Sequence, residues 1–163
     1  MRKTTADLIL RPRRAADDAV IYRLSDRIFA AYSIHPIGAM ASMLAEGGAH
    51  SWVVERSAKV VGFFVLGFEH LEKSFGPWQS PAVARLNAIG VQPDLHGRGV
   101  GRFLLERAEA IARDEGAVSL TLMTAETNAR ARRLFSAAGF QRLLTLEHAY
   151  ARGQRGIVMS KPL

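Results

Sequence analysis

Apolar positions change period several times along this chain, and each change marks an element. A short apolar run at 8–10 precedes Arg11-Pro12-Arg13-Arg14 and reads as a first strand. Val20, Ile21, Leu24, Ile28 and Ala31 then recur at helical spacing, with Arg23, Asp26 and Arg27 between them. That spacing predicts an amphipathic helix over 17–32 with Asp17 as its N-cap. Residues 33–38 break it. A second short helix is expected over 39–45, closed by Glu46-Gly47-Gly48. The runs 52–54 and 60–68 are β-rich and flank Arg56-Ser57-Ala58-Lys59, as in a hairpin. Gly62 and Gly67 inside the second run mark a bulge or a close backbone approach. Residues 69–81 lose periodicity and read as a loop.

The second half is more regular. A central strand is expected over 82–91, its apolar end broken by Gln92-Pro93-Asp94. After His96-Gly97-Arg98-Gly99-Val100-Gly101 a helix pattern starts at once, with Val100, Phe103, Leu104, Ala108 and Ile111 on one face, and Gly116 stops it. Alternation at 118–124 gives a strand. Asn128 opens a last helix with Ala131, Leu134, Phe135 and Ala138 on one face, ending at Gly139-Phe140. Two β-like runs, 141–150 and 156–159, finish the chain. The order β-α-α-β-β-β-α-β-α-β-β is a mixed α/β (α+β) domain, with no repeat, linker or low-complexity segment. Residues 1–163 read as a single domain.

Composition narrows the function. With 163 residues the chain is long enough for one proper core. It has no cysteine, which excludes a disulfide framework and a cysteine-acyl intermediate. No metal-ligand spacing is apparent. No apolar run approaches the ~18 residues of a membrane span, and the basic start at Met1-Arg2-Lys3 has no signal-type apolar stretch behind it. A cytoplasmic protein with no membrane partner is the expectation. Net charge is +7, which favours anionic partners. No aromatic-interleaved basic stretch suggests a nucleic-acid platform, so none is expected.

Strand, glycine-rich turn, helix is an arrangement that can hold phosphate. The first amides of a helix have no intrahelical partner and carry partial positive charge. Glycines let an anion reach them. A P-loop is excluded, because Arg102-Phe103 follows Gly101 where lysine and a hydroxyl residue are required. A dinucleotide fingerprint fails in both frames, since its third glycine would be Arg102 or Leu104. Val91-x-Pro93 followed by His96-x-x-Gly99-x-Gly101 resembles the cofactor motif of the GNAT N-acetyltransferases. Asn128-x-x-Ala131-x-x-Leu134-Phe135-x-x-x-Gly139-Phe140 is similar to the second signature of that superfamily.

The resemblance implies a GNAT-like fold: a central mixed, mostly antiparallel sheet with a splayed pair of strands, flanked by helices. It implies acetyl-CoA as co-substrate, no metal, and direct transfer of the acetyl group to a primary amine of a small molecule or peptide. It puts the pyrophosphate on amides of His96, Gly97, Arg98, Gly99, Val100, Gly101 and Arg102. It puts the pantetheine along Ile89, Gly90 and Val91, where a backbone N–H polarises the acetyl oxygen. Asn128 is expected to touch the cofactor, to cap its helix, or both. One of Arg130, Arg132 and Arg133 is a candidate for the 3′-phosphate, although all three also fit a solvated face.

Three positions depart from the family pattern. His96 stands where Arg or Gln is usual. Phe135 stands where many relatives carry a tyrosine that protonates the thiolate. Arg85 stands where some carry a glutamate base. The sequence therefore leaves acid and base open. Tyr150 is the candidate acid and Glu126 the candidate base, with Glu69, His70 and a water chain as alternatives. The rival reading is a non-catalytic acyl-CoA-binding module with the same fold. Neither the acceptor nor the oligomeric state, a homodimer included, is written in the pattern.

Overall fold

Helices cover both faces of one sheet, which accounts for the apolar runs that lack alternation. The computed structural model describes residues 5–46, 50–70 and 82–163. Among these the chain runs β1 (Leu8–Pro12), α1 (Asp18–Phe29), α2 (Pro36–Ala45), β2 (His50–Arg56), β3 (Lys59–His70), β4 (Ala82–Val91), α3 (Val100–Asp114), β5 (Ala117–Ala125), α4 (Ala129–Ala137), β6 (Gln141–Tyr150) and β7 (Gln154–Pro162). The strands form a sheet in the order β1-β2-β3-β4-β5-β7-β6. Only β4 and β5 run parallel; the other neighbours are antiparallel. The expected mixed α/β class and mostly antiparallel sheet are both present.

Two apolar layers result. On one face Val100, Leu104, Leu105 and Ala108 of α3, with Phe135 of α4, pack on Phe64 and Leu66 of β3. On the other, Ile21 and Leu24 of α1 and Met40 of α2 pack on Phe63 and Val65. β3 is thus buried from both sides, so a strand without a polar face is what the position demands. Full burial of each such side chain contributes about 1.5–3 kcal/mol.

Boundaries differ from the sequence reading in instructive ways. Asp17 does not cap α1 with its side chain. Its carboxylate accepts two hydrogen bonds from the Arg11 guanidinium, at 2.8 and 2.9 Å, and one from the Arg14 backbone N–H at 2.7 Å. Beside that guanidinium its pKa falls to about 2. α2 starts at Pro36, because proline suits the first helical position, where no N–H is needed. The β2–β3 hairpin turns through Ser57 and Ala58, both at positive φ, without the glycine or asparagine that usually announces such a turn. Glu69 and His70, read as loop, extend β3. Residues 71–81 of that expected loop, and the glycines after α2, lie outside the described residues.

One irregularity shapes the centre. β4 pairs with β5 only from Ala82 opposite Ala117 to Leu86 opposite Leu122. On its other edge β4 stays paired with β3 as far as Val91, but adjacent Val65 and Leu66 face Ala88 and Leu86, leaving Asn87 as an extra residue. A bulge of this kind bends its strand and increases the local twist. Ala84 and Leu86 belong to the α3 layer; beyond the bulge Ile89 and Val91 do, while Ala88 joins the α1 layer. The two parallel strands therefore splay, opening the end of β4 onto a cleft.

Candidate active site

The glycine turn sits at the mouth of that cleft. Gly99 is the N-cap of α3, at φ +86°, a left-handed conformation that a side chain would strain. The first intrahelical bond is donated by the Phe103 N–H to the Gly99 carbonyl at 3.0 Å. The amides of Val100, Gly101 and Arg102 precede it and are available to an anion.

Strand alternation sets what the cleft presents. The Gln92 N–H donates to the Val61 carbonyl at 2.8 Å. Two residues back, Gly90 faces β3 in the same way, so Ile89 and Val91 turn their N–H and C=O groups toward the fork. Gly90 is required by packing, since a Cβ there would lie 2.7 Å from Phe63 Cε1. His96 has a structural task at this edge. Its Nε2 donates to the Val91 carbonyl at 2.8 Å, a group that lost its sheet partner when the strands separated.

Two cavities meet at the fork. One, of ≈ 530 Å³, is walled by the glycine turn, by Ile89, Gly90 and Val91, and by Arg27, Arg102 and Arg130. No carboxylate is among its described lining residues, so it suits a polyanion with an extended amide-bearing arm. The other, of ≈ 580 Å³, lies between the α1–α2 segment, β4, β5 and the β6–β7 turn. Phe29, Tyr32, Ile89, Asn128, Ala131 and Phe135 line both.

A family model described as the acetyltransferase (GNAT) family matches residues 19–140. The chain belongs to the GNAT acetyltransferase family. Mycothiol acetyltransferase of Kocuria rhizophila is 33% identical over 78 residues, covering 48% of this chain and 26% of that protein. Mycothiol acetyltransferase of Jonesia denitrificans is 36% identical over 87 residues, covering 53% and 25%. The chain thus spans about a quarter of the length of these relatives. Arabidopsis thaliana NAA60 in complex with a bisubstrate analogue superimposes with a TM-score of 0.80, at 14% identity over 96% of this chain and 99% of that one. The ribosomal-protein-S18-alanine N-acetyltransferase from Escherichia coli gives 0.73, at 21% identity over 95% and 93%. At these identities the structural likeness concerns the fold.

In this GNAT chain the side chains proposed for proton transfer fall in different places. Asn128 caps α4, its Oδ1 accepting from the Ala131 N–H at 3.2 Å, and also lines both cavities. Phe135 is 4% exposed and packs against Phe140, with no proton to offer at the fork. Tyr150 lines the larger cavity, edge-on to Tyr32. Its hydroxyl donates to the Met123 carbonyl at 3.0 Å, and burial pushes its pKa up to about 12. Glu126 is held by Arg155 through two hydrogen bonds of 2.7 and 2.8 Å and lines neither cavity. Glu69 pairs with Arg85 at 2.9 Å, so the arginine at the family's glutamate position is engaged on the surface. Sequence reasoning passed over His35, which lines the larger cavity just before α2. The signal was present as a histidine directly before the proline that opens a helix.

Proposed function

We propose that this chain, read as one domain over 1–163, is an N-acetyltransferase in which acetyl-CoA enters along the glycine turn and a primary amine arrives from the larger cavity. The single observation that supports this best is the splayed edge of β4. It offers backbone N–H groups at the junction of a basic cavity and a neutral one. In this reading the amine nitrogen attacks the thioester carbonyl carbon, and the Ile89 or Val91 N–H steadies the oxyanion. The C–N bond forms, the C–S bond breaks, and the acetyl group leaves the sulfur. The ammonium proton passes to a ring nitrogen of His35, which lines the amine's cavity, directly or through water, since a neutral imidazole carries a lone pair that accepts a proton. The thiolate takes its proton from solvent. A thiol has a pKa of about 8.5, and a phenol held near 12 is a poor proton source for it. The same geometry weighs against Glu126 as base, since its charge is already paired with Arg155.

The test is direct. Purified protein, acetyl-CoA and an amine panel should give N-acetylated product and free CoA in equal amounts, read by mass spectrometry and thiol titration. Tight acetyl-CoA binding with no product from any amine would favour the non-catalytic acyl-CoA-binding module.

A further inference from the structure

We propose that the acceptor of this enzyme is a monocationic primary amine carried on an apolar body, seated in the ≈ 580 Å³ cavity between the α1–α2 segment and the splayed strands. The proposal rests on the N-acetyltransferase reading and names the substrate class for its second cavity.

Charge is the first argument. Among the described residues lining this cavity there is no aspartate, glutamate, lysine or arginine. A second ammonium on the acceptor would lose its water and meet no counter-ion among the described lining residues, which disfavours it. The protein's net charge of +7 adds repulsion to any polycation.

α2, Pro36–Ala45, contains no charged residue, although much of it is solvent-exposed. Surface helices ordinarily carry charge on the outer face. Ile34, 76% exposed, stands just before α2 on the cavity wall, and Ile37, 45% exposed, follows on the helix. Met40 and Met43 continue the apolar lining inward, and thioether side chains adapt to varied apolar shapes. An uncharged, exposed helix leading into a methionine-lined cavity fits an apolar guest. Two sources supply such an amine: a free alkyl or aryl amine, or the α-amine of a polypeptide that begins with an apolar side chain.

The experiment measures kcat/KM at saturating acetyl-CoA for hexylamine against hexane-1,6-diamine, and for a leucine-initiated tetrapeptide against a lysine-initiated one. Each apolar member should exceed its dicationic partner by about 100-fold. Whichever of hexylamine and the leucine peptide is faster identifies the source. Met43→Glu should reduce the preference at least tenfold by supplying the missing counter-ion. Ile34→Asp, at an exposed position, makes the same test without touching the core. A calorimetric titration of hexylamine and the diamine into the CoA complex reads the site without chemistry. Comparable rates and comparable binding for apolar and dicationic members would overturn the acceptor class while leaving N-acetyl transfer intact. Acetyl-CoA binding with no transfer to any amine would overturn the enzymatic reading, and the acceptor assignment with it.

Discussion

The two cavities share a wall and almost nothing else. One is bordered by three arginines and by helix amides that lack partners. The other has no formally charged lining residue among those described, and its polar groups are chiefly hydroxyls, amides and one imidazole. Both are cut from the same sheet on either side of one fork. The contrast teaches that recognition of a donor and of an acceptor can be separated by charge alone. In the proposed reading a polyanion is held by backbone and arginine, and an amine by shape and by freedom from competing cations.

The comparison breaks most completely at the turn. Gly99→Val should weaken acetyl-CoA binding by at least ~100-fold, since a β-branched residue is strained at positive φ and the amide cradle would shift. Calorimetry on a variant shown to be folded by circular dichroism checks this, with acceptor binding unaffected. Next comes the imidazole. His35→Ala should lower kcat/KM for the amine by about 10²-fold, within the range of general-base effects. Acetyl-CoA affinity, read separately, should not move.

Replacing Arg27 and Arg130 together by alanine tests the charge of the donor cavity alone. We expect roughly tenfold weaker acetyl-CoA binding with a reduced salt dependence, as for exposed charges facing a polyanion. The smallest effect concerns Tyr150. Tyr150→Phe should slow turnover less than tenfold and cost about 1 kcal/mol of stability, the worth of its bond to the Met123 carbonyl. Steady-state kinetics and denaturant melts read the two numbers, and a loss of rate above tenfold would reinstate Tyr150 as the acid.

Much of this was legible in the chain. The glycine turn follows from the spacing of Gly97, Gly99 and Gly101, and the cap of α4 from Asn128, because both depend on local backbone chemistry. The element order follows from periodicity. Less legible were features that arise only when distant segments meet. Asp17 looks like a cap until Arg11 and Glu55 converge beside it from two strands. Glu126 looks like a free base until Arg155 arrives from β7. His96 looks like a substitute phosphate ligand, and its bond to Val91 depends on a carbonyl released by the splay. His35 has no motif; its candidacy comes from the cavity it faces.

Asn87 carries a consequence for how such a site is gained or lost. The cleft exists because β4 contains one more residue than β3 can match. An uncharged substitution at Asn87 keeps that count and should preserve the splay, its side chain bordering the ≈ 580 Å³ cavity. An in-frame deletion of the single codon would restore the match and return Ala88, Ile89 and Val91 to the pleat of a regular strand. β4 and β5 would then be free to pair along their full length, closing both cavities without removing any side chain proposed for proton transfer. The genetic signature of this architecture is a position where uncharged missense changes cost far less than a three-base loss, which a deep mutational scan that includes codon deletions reads directly.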